Sequence, residues 1–336
     1  MSGPRAYLSV LLLSTAVLFA GLWVVTSKLR RGFLETEYGV WQAKLDMIDA
    51  CDLGDVVILG DSRASAGLIP QQLHPGASNF ALSGTGPIEA DFELRRMLRC
   101  PKLPKIAVLS FSPHQFEHID WFWRRSARFG LFSYADLEEI RDAEQSISPG
   151  LIYQSAYGSE PPGAVKNWLH VSHFPPYEFA DLIGSAVVGR LNDNRRAYQD
   201  TLKARGQHLV GNYQQCAEAP DGEIDTRFSP TPLIDRYYER LIGDLHSNGI
   251  DIIIMQTPMS ELSASKMTAE FESQFAAYLS DRGAGRYVTP ATDALFPVRA
   301  NCDFGDEVHL NQRGADAFST MMKRQLELGG RIRNAG

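Results

Sequence analysis

Apolar and polar positions fall into three regimes along this chain. Residues 6–25 form a run of about 20 residues without a charge, the length that spans the hydrocarbon core of a bilayer. Between residues 33 and 50, Leu34, Tyr38, Trp41, Leu45 and Ile48 recur at helical spacing and predict a stalk helix leading out of that run. From residue 55 onward, short apolar runs alternate with helical periods. Val56-Val57-Ile58-Leu59 reads as a buried parallel strand, followed by strands over 78–82, 106–111, 250–255 and 286–289. Helical patterns cover 87–99, 233–247, 267–279 and 311–328. Strands alternating with helices predict an α/β fold built on a doubly wound parallel sheet.

Residues 120–230 break this rhythm. Proline pairs at Pro161-Pro162 and Pro175-Pro176 separate helical patterns over 135–143, 179–191 and 195–204, which predicts a mainly helical insertion continuous with the core. The expected organisation is an anchor with short flanks over 1–31, a stalk over 32–54, and one domain over 55–328 that carries the insertion.

Composition alters this picture little, since 336 residues suffice for one large domain with insertions. The formal net charge of -7 excludes a nucleic-acid partner of the usual kind, because phosphate binding needs a concentrated excess of Lys and Arg. The N-terminal run is too long for a cleavable signal, no A-x-A-like site precedes Gly21, and Trp23 stands near the expected interface; an uncleaved anchor is the preferred reading. Arg5 on one flank against Lys28, Arg30 and Arg31 on the other would by charge alone keep the domain cytoplasmic. Four cysteines point the other way if they are bridged. Cys51 and Cys100 each precede a predicted parallel strand, at the same end of the sheet, and Cys216–Cys302 would tie the insertion to the C-terminal loop; four separate buried thiols is the alternative.

The candidate chemistry begins at Gly60-Asp61-Ser62-Arg63, where a serine follows the C-terminal end of a buried strand, the place where α/β sheets put their sites. Near the other end of the chain stands Asp306-Glu307-Val308-His309. Ser62 as nucleophile, His309 as general base and Asp306 as its orienting acid would make an acyl-transfer triad; otherwise Asp306 caps a turn and His309 decorates a loop. The backbone N–H groups of Ser62 and of Gly84, in Ser83-Gly84-Thr85-Gly86-Pro87, are the candidate oxyanion donors, unless Gly84 and Gly86 are plain turn glycines. Arg63 is placed to steer an anionic acceptor or to form a structural ion pair, and Trp121 to stack on a sugar or pack within the insertion. His114 and His118 lack a third ligand, so no metal or other cofactor is expected.

The order Gly-Asp-Ser, glycine loop, Asp-x-x-His resembles the SGNH (GDSL-like) hydrolase superfamily over residues 55–328, apart from the insertion. The resemblance implies a flavodoxin-like three-layer fold and catalytic roles for Ser62, Gly84, Asp306 and His309. Where the family presents Gly-x-Asn-Asp after the third strand, this chain has Ser110-Phe111-Ser112-Pro113-His114. The side-chain oxyanion donor is therefore missing, and Ser112, His114 or nothing takes its place. That departure, with the anchor, resembles the branch of alginate O-acetylation and teichoic acid D-alanylation proteins. It implies a single-pass protein of the cytoplasmic membrane whose domain faces the periplasm or cell exterior. There it would transfer an acyl group, acetyl first among candidates, from a membrane-bound O-acyltransferase partner to an exopolysaccharide or envelope glycan. Two alternatives stand beside it: an exported esterase or deacetylase, and a non-catalytic adaptor of the membrane acyltransferase.

Overall fold

In the computed structural model, which describes residues 3–152, 163–210, 216–283 and 295–328, the uncharged run becomes one helix, α1 (Pro4–Lys28). Its stretch from Ala6 to Lys28 is long and apolar enough to cross a membrane, and none of it is covered by the rest of the chain in its most apolar window. A single 3-10 turn (Arg30–Gly32) leads to α2 (Glu37–Asp49). The segment expected as a free stalk is instead a core helix: Tyr38, Val40, Trp41, Ala43, Leu45, Met47 and Ile48 are all buried.

The sheet then forms from β1 (Val56–Gly60), with α3 (Ser62–Gly67) and α4 (Pro70–Leu73), then β2 (Ala77–Asn79), α5 (Pro87–Met97) and β3 (Ile106–Ser110). After β3 comes α6 (His114–Glu117), and the insertion then supplies a π-helical turn (Phe122–Ala127), α7 (Tyr134–Ile147), α8 (Gly163–Val171), α9 (Pro175–Val188) and α10 (Arg190–Lys203). Helix α11 (Pro232–Ser247) leads into β4 (Asp251–Ile254). A two-stranded pair, β5 (Met259–Ser260) with β6 (Val298–Arg299), flanks α12 (Glu261–Ala264) and α13 (Ala269–Gly283), and α14 (Gln312–Leu328) ends the described chain. The strand expected over 286–289 lies outside the described residues.

Four parallel strands run in the order β2-β1-β3-β4. Strands β1 and β3 are buried at every position because both faces are covered. Val57, Leu59, Ala107 and Leu109 point into a core shared with α2, α5, α7 and α11. Val56, Ile58 and Val108 point the other way, onto Leu68, Leu73, Phe318 and Met322 of the α3–α4 segment and α14. The sheet is thus wound on both sides, and the strand order reverses between β1 and β3, which opens a crevice at their carboxyl ends. Leu137 and Ile140 of α7 belong to the first core, so the insertion shares the domain's interior.

Candidate active site

The crevice is built on Asp61. Its side chain caps α3, accepting from the N–H groups of Arg63 (2.9 Å) and Ala64 (3.4 Å) through Oδ1, while Oδ2 accepts from the Ser112 N–H at 2.7 Å. One carboxylate therefore fixes the turn after β1 to the turn after β3, and Ser62 opens the helix between them. Asn79 secures the far end of that helix, donating to the carbonyls of Ala64 and Leu68 at 2.9 Å each.

His309 arrives on a loop that is tied down along its length. Asn311 donates to the carbonyls of Cys302 and Phe304, Gly305 N–H donates to the His309 carbonyl, and Asp303 is paired with Arg299 and Arg313. Cys302 is disulfide-bonded to Cys216, and Cys51 to Cys100. At the loop's tip, Nε2 of His309 lies 2.8 Å from Ser62 Oγ and Nδ1 lies 2.8 Å from Asp306 Oδ2. Asp306 Oδ1 accepts from the N–H groups of Val308 and His309. Burial pushes the Asp306 carboxyl up, but the hydrogen bond and charge of His309 with those two N–H groups outweigh it, and the carboxyl lies below its ordinary range. An ionised Asp306 holds the Nδ1 proton and leaves Nε2 free to take the hydroxyl proton of Ser62.

No known family's sequence profile matches the chain, and no curated protein matches it in sequence. What the site can do therefore rests on its geometry.

The triad opens into a cleft of about 250 Å³ walled by Glu37, Ser83, Gly84, Ser112, Gln115, Asp120, Trp121, Arg125 and Glu223, among others. Gly84 has φ +75°, and a Cβ there would stand 2.7 Å from the Trp121 ring, so conformation and contact both require glycine. Among the described residues, the N–H groups of Ser62 and Gly84 have no hydrogen-bond partner, as oxyanion donors must in the free site. Ser83 Oγ and Ser112 Oγ are also buried without a partner.

Of the expected substrate contacts, Arg63 lines the cleft and forms the structural ion pair that is one of its two readings, bound to Asp221 and Glu223, both at 2.7 Å, whereas His114 is corrected. Burial of Arg63 opposes the charge, but Asp221, Asp61 and Glu223 outweigh it and hold the guanidinium more firmly protonated than usual. His114 is turned to Asp120 at 2.6 Å and stacked on His118, and does not line the cleft. Burial lowers its pKa, but Asp120 and Glu223 raise it further, to a net value above the ordinary one. Trp121 does line the cleft, with Arg124 and Arg125 on its ring. Among the described residues no group of His, Cys, Asp and Glu is arranged to hold a metal ion.

Sequence reasoning missed Asp61 as the clamp between two turns, because its second partner, Ser112, lies 51 positions away. It also missed Lys44, which is fully buried and donates to Ser65 Oγ (2.9 Å) and to the Ala81 carbonyl, beneath α3 and the glycine loop. A lysine among the apolar positions of 38–48 was the available signal.

Proposed function

We propose that this chain is a membrane-anchored O-acyltransferase with an SGNH-like, flavodoxin-like domain, acting through an acyl-Ser62 intermediate on a glycan outside the cytoplasm. The observation that carries the reading is the Ser62–His309–Asp306 relay, with both links at 2.8 Å, at the switch point of a parallel sheet beside unpaired N–H groups. Ser62 Oγ attacks the donor's carbonyl carbon as His309 takes the proton. The leaving group receives that proton as the tetrahedral oxyanion collapses; a sugar hydroxyl then attacks the acyl-Ser62 carbonyl as His309 takes its proton, and Ser62 Oγ leaves with that proton as the glycan ester is released. A cleft walled by Glu37, Asp120, Arg125 and Trp121 suits a carbohydrate better than a long acyl chain. Two disulfides favour an oxidising compartment, against the charge asymmetry of the flanks, and support an exported domain.

The test incubates the full-length protein in detergent with an aryl acetate, with and without an acetyl-accepting oligosaccharide. Expected are an acetyl adduct on Ser62, acetylated sugar as product, and loss of both in Ser62→Ala. Acetate release indifferent to the acceptor would make the protein an esterase. An absent adduct, with Ser62→Ala retaining cellular function, would make it an adaptor.

A further inference from the structure

The apolar surface of the insertion is concentrated where it meets α1. Trp168 on α8 and Phe179, Ile183 and Val188 on α9 are 49, 45, 73 and 50 % exposed. Helix α9 carries just two charges, Glu178 and Asp181, and both are ion-paired to Arg128 of the domain. An exposed helix of this composition lacks the charged outer face that a water-facing helix carries.

Its place relative to α1 identifies what covers it. Phe174, at the corner between α8 and α9, packs on Phe19 and Trp23 with ring centroids 5.9 and 5.3 Å apart, and Trp168 packs on Trp23 at 5.5 Å. The Trp23 indole donates to the Ser172 carbonyl at 2.6 Å, Thr26 to the His173 carbonyl at 2.7 Å, and Ser27 to Ser172. Lys28 is the first charge after the apolar run of α1. At 1.5 Å per residue, Phe19 lies about 13 Å on the lipid side of Lys28. A bilayer that covers α1 as far as Lys28 therefore reaches beyond the Ser172–Phe174 corner.

We propose that the α8–α9 corner and the exposed apolar side of α9 are seated in the headgroup and upper acyl region of the bilayer that α1 crosses, giving the chain two membrane elements. The proposal rests on α1 being a membrane span. Continuity with α1 selects lipid over a protein partner, since Phe19 and Trp23 are shared by both surfaces. The aromatic group Trp23, Trp168, Phe174 and Tyr177 matches an interfacial belt, with Lys28 in the last turn of α1 and Arg30, which reaches His173, beside it where lipid phosphates would lie. The seat is connected to the cleft. Arg128, which holds Glu178 and Asp181, directly follows the π-helical turn that starts next to Trp121 of the cleft wall.

The test uses the full chain in phosphatidylcholine nanodiscs, spin-labelled at Ile183→Cys or, separately, Leu12→Cys; the four native cysteines are disulfide-bonded and take no label. Collision with oxygen at position 183 should exceed collision with a water-soluble nickel chelate at least threefold, as at position 12. A lipid-exposed label at 12 with a water-exposed label at 183 overturns the proposal and leaves the α1 span standing; water exposure at 12 overturns both. An unlabelled check avoids any disturbance by the label: brominated lipid should quench Trp168 in the unmodified chain, and Trp168→Phe should remove that share of the quenching. Unchanged quenching in Trp168→Phe counts against the seat.

Discussion

On the proposed acyl-transfer reading, Ser112 is the residue that most directly tests the cleft's chemistry. Its N–H is held by Asp61, so its position is fixed, yet its buried hydroxyl has no partner among the described residues and faces the cleft. A buried hydroxyl without a hydrogen bond destabilises a fold, and its retention next to a nucleophile has a chemical explanation if it donates to the oxyanion in the transition state. Ser112→Ala should lower kcat by about 100-fold with KM nearly unchanged, the pattern expected when a donor acts in the transition state alone. Its thermal midpoint should be equal to or above that of the unmodified protein. Ser83→Ala, which removes the neighbouring unpaired hydroxyl, is the comparison that assigns the role. If the Ser112 variant keeps full kcat and the Ser83 variant does not, the donor is Ser83.

Through Lys44, helix α2 ties α3, which Ser62 opens, to the segment that leads into the Gly84 loop. Burial pushes the Lys44 ammonium down to about 7, against the opposing pull of the Glu93 and Glu37 carboxylates. Because the native value lies below that of an unfolded lysine, about 10.4, the unfolded chain binds more protons between those limits, and stability rises with pH through that window. The unfolding free energy of the unmodified protein minus that of Lys44→Met should therefore grow from pH 7 to pH 9.5, by at most about 1.4 kcal/mol per pH unit. Equilibrium denaturation in detergent at the two pH values measures it; a difference independent of pH would mean that Lys44 titrates as an ordinary lysine. The same helix marks a limit of reading sequence. Its apolar spacing identified it as a helix, but a periodic pattern presumes one covered side, whereas α2 is buried at Val40, Ala43 and Met47 as well as at Trp41, Lys44 and Leu45 on the other face. The partners that accept Lys44, Ser65 and Ala81, come from separate later segments and leave no local trace. Strands β1, β3 and β4 were legible because strands buried on both faces are continuous apolar runs. Helix α8 and the π-helical turn were not, since both are short and interleave charged or polar residues with a single tryptophan each.

At the scale of the molecule, the grouping of Ser62, Asp306 and His309 could be anticipated because they sit at strand and loop ends that the α/β pattern locates, and Gly84, Ser112 and Trp121 with them, whereas Glu37 of α2 and Glu223 of the insertion could not, since no local pattern ties either to the sheet's edge. The anchor and the insertion are likewise one unit: Trp23, Thr26 and Ser27 of α1 satisfy the carbonyls of Ser172 and His173, and Phe19 and Trp23 cover Phe174. A chain beginning at residue 29 loses these bonds and leaves two carbonyls and an aromatic cluster uncovered. Losing buried hydrogen bonds and apolar cover of this extent costs about 2–3 kcal/mol, and a domain of this size should then melt about 3–5 °C lower. Its uncovered surface should bind detergent micelles or self-associate on gel filtration without detergent. Activity toward a soluble aryl ester should survive, because Ser62, Asp306 and His309 make no contact with α1. Calorimetry, gel filtration and ester turnover on the shortened chain separate an anchor that merely tethers the domain from one that completes its fold. An unchanged midpoint with a monomeric, detergent-free chain would show that α1 is only a tether.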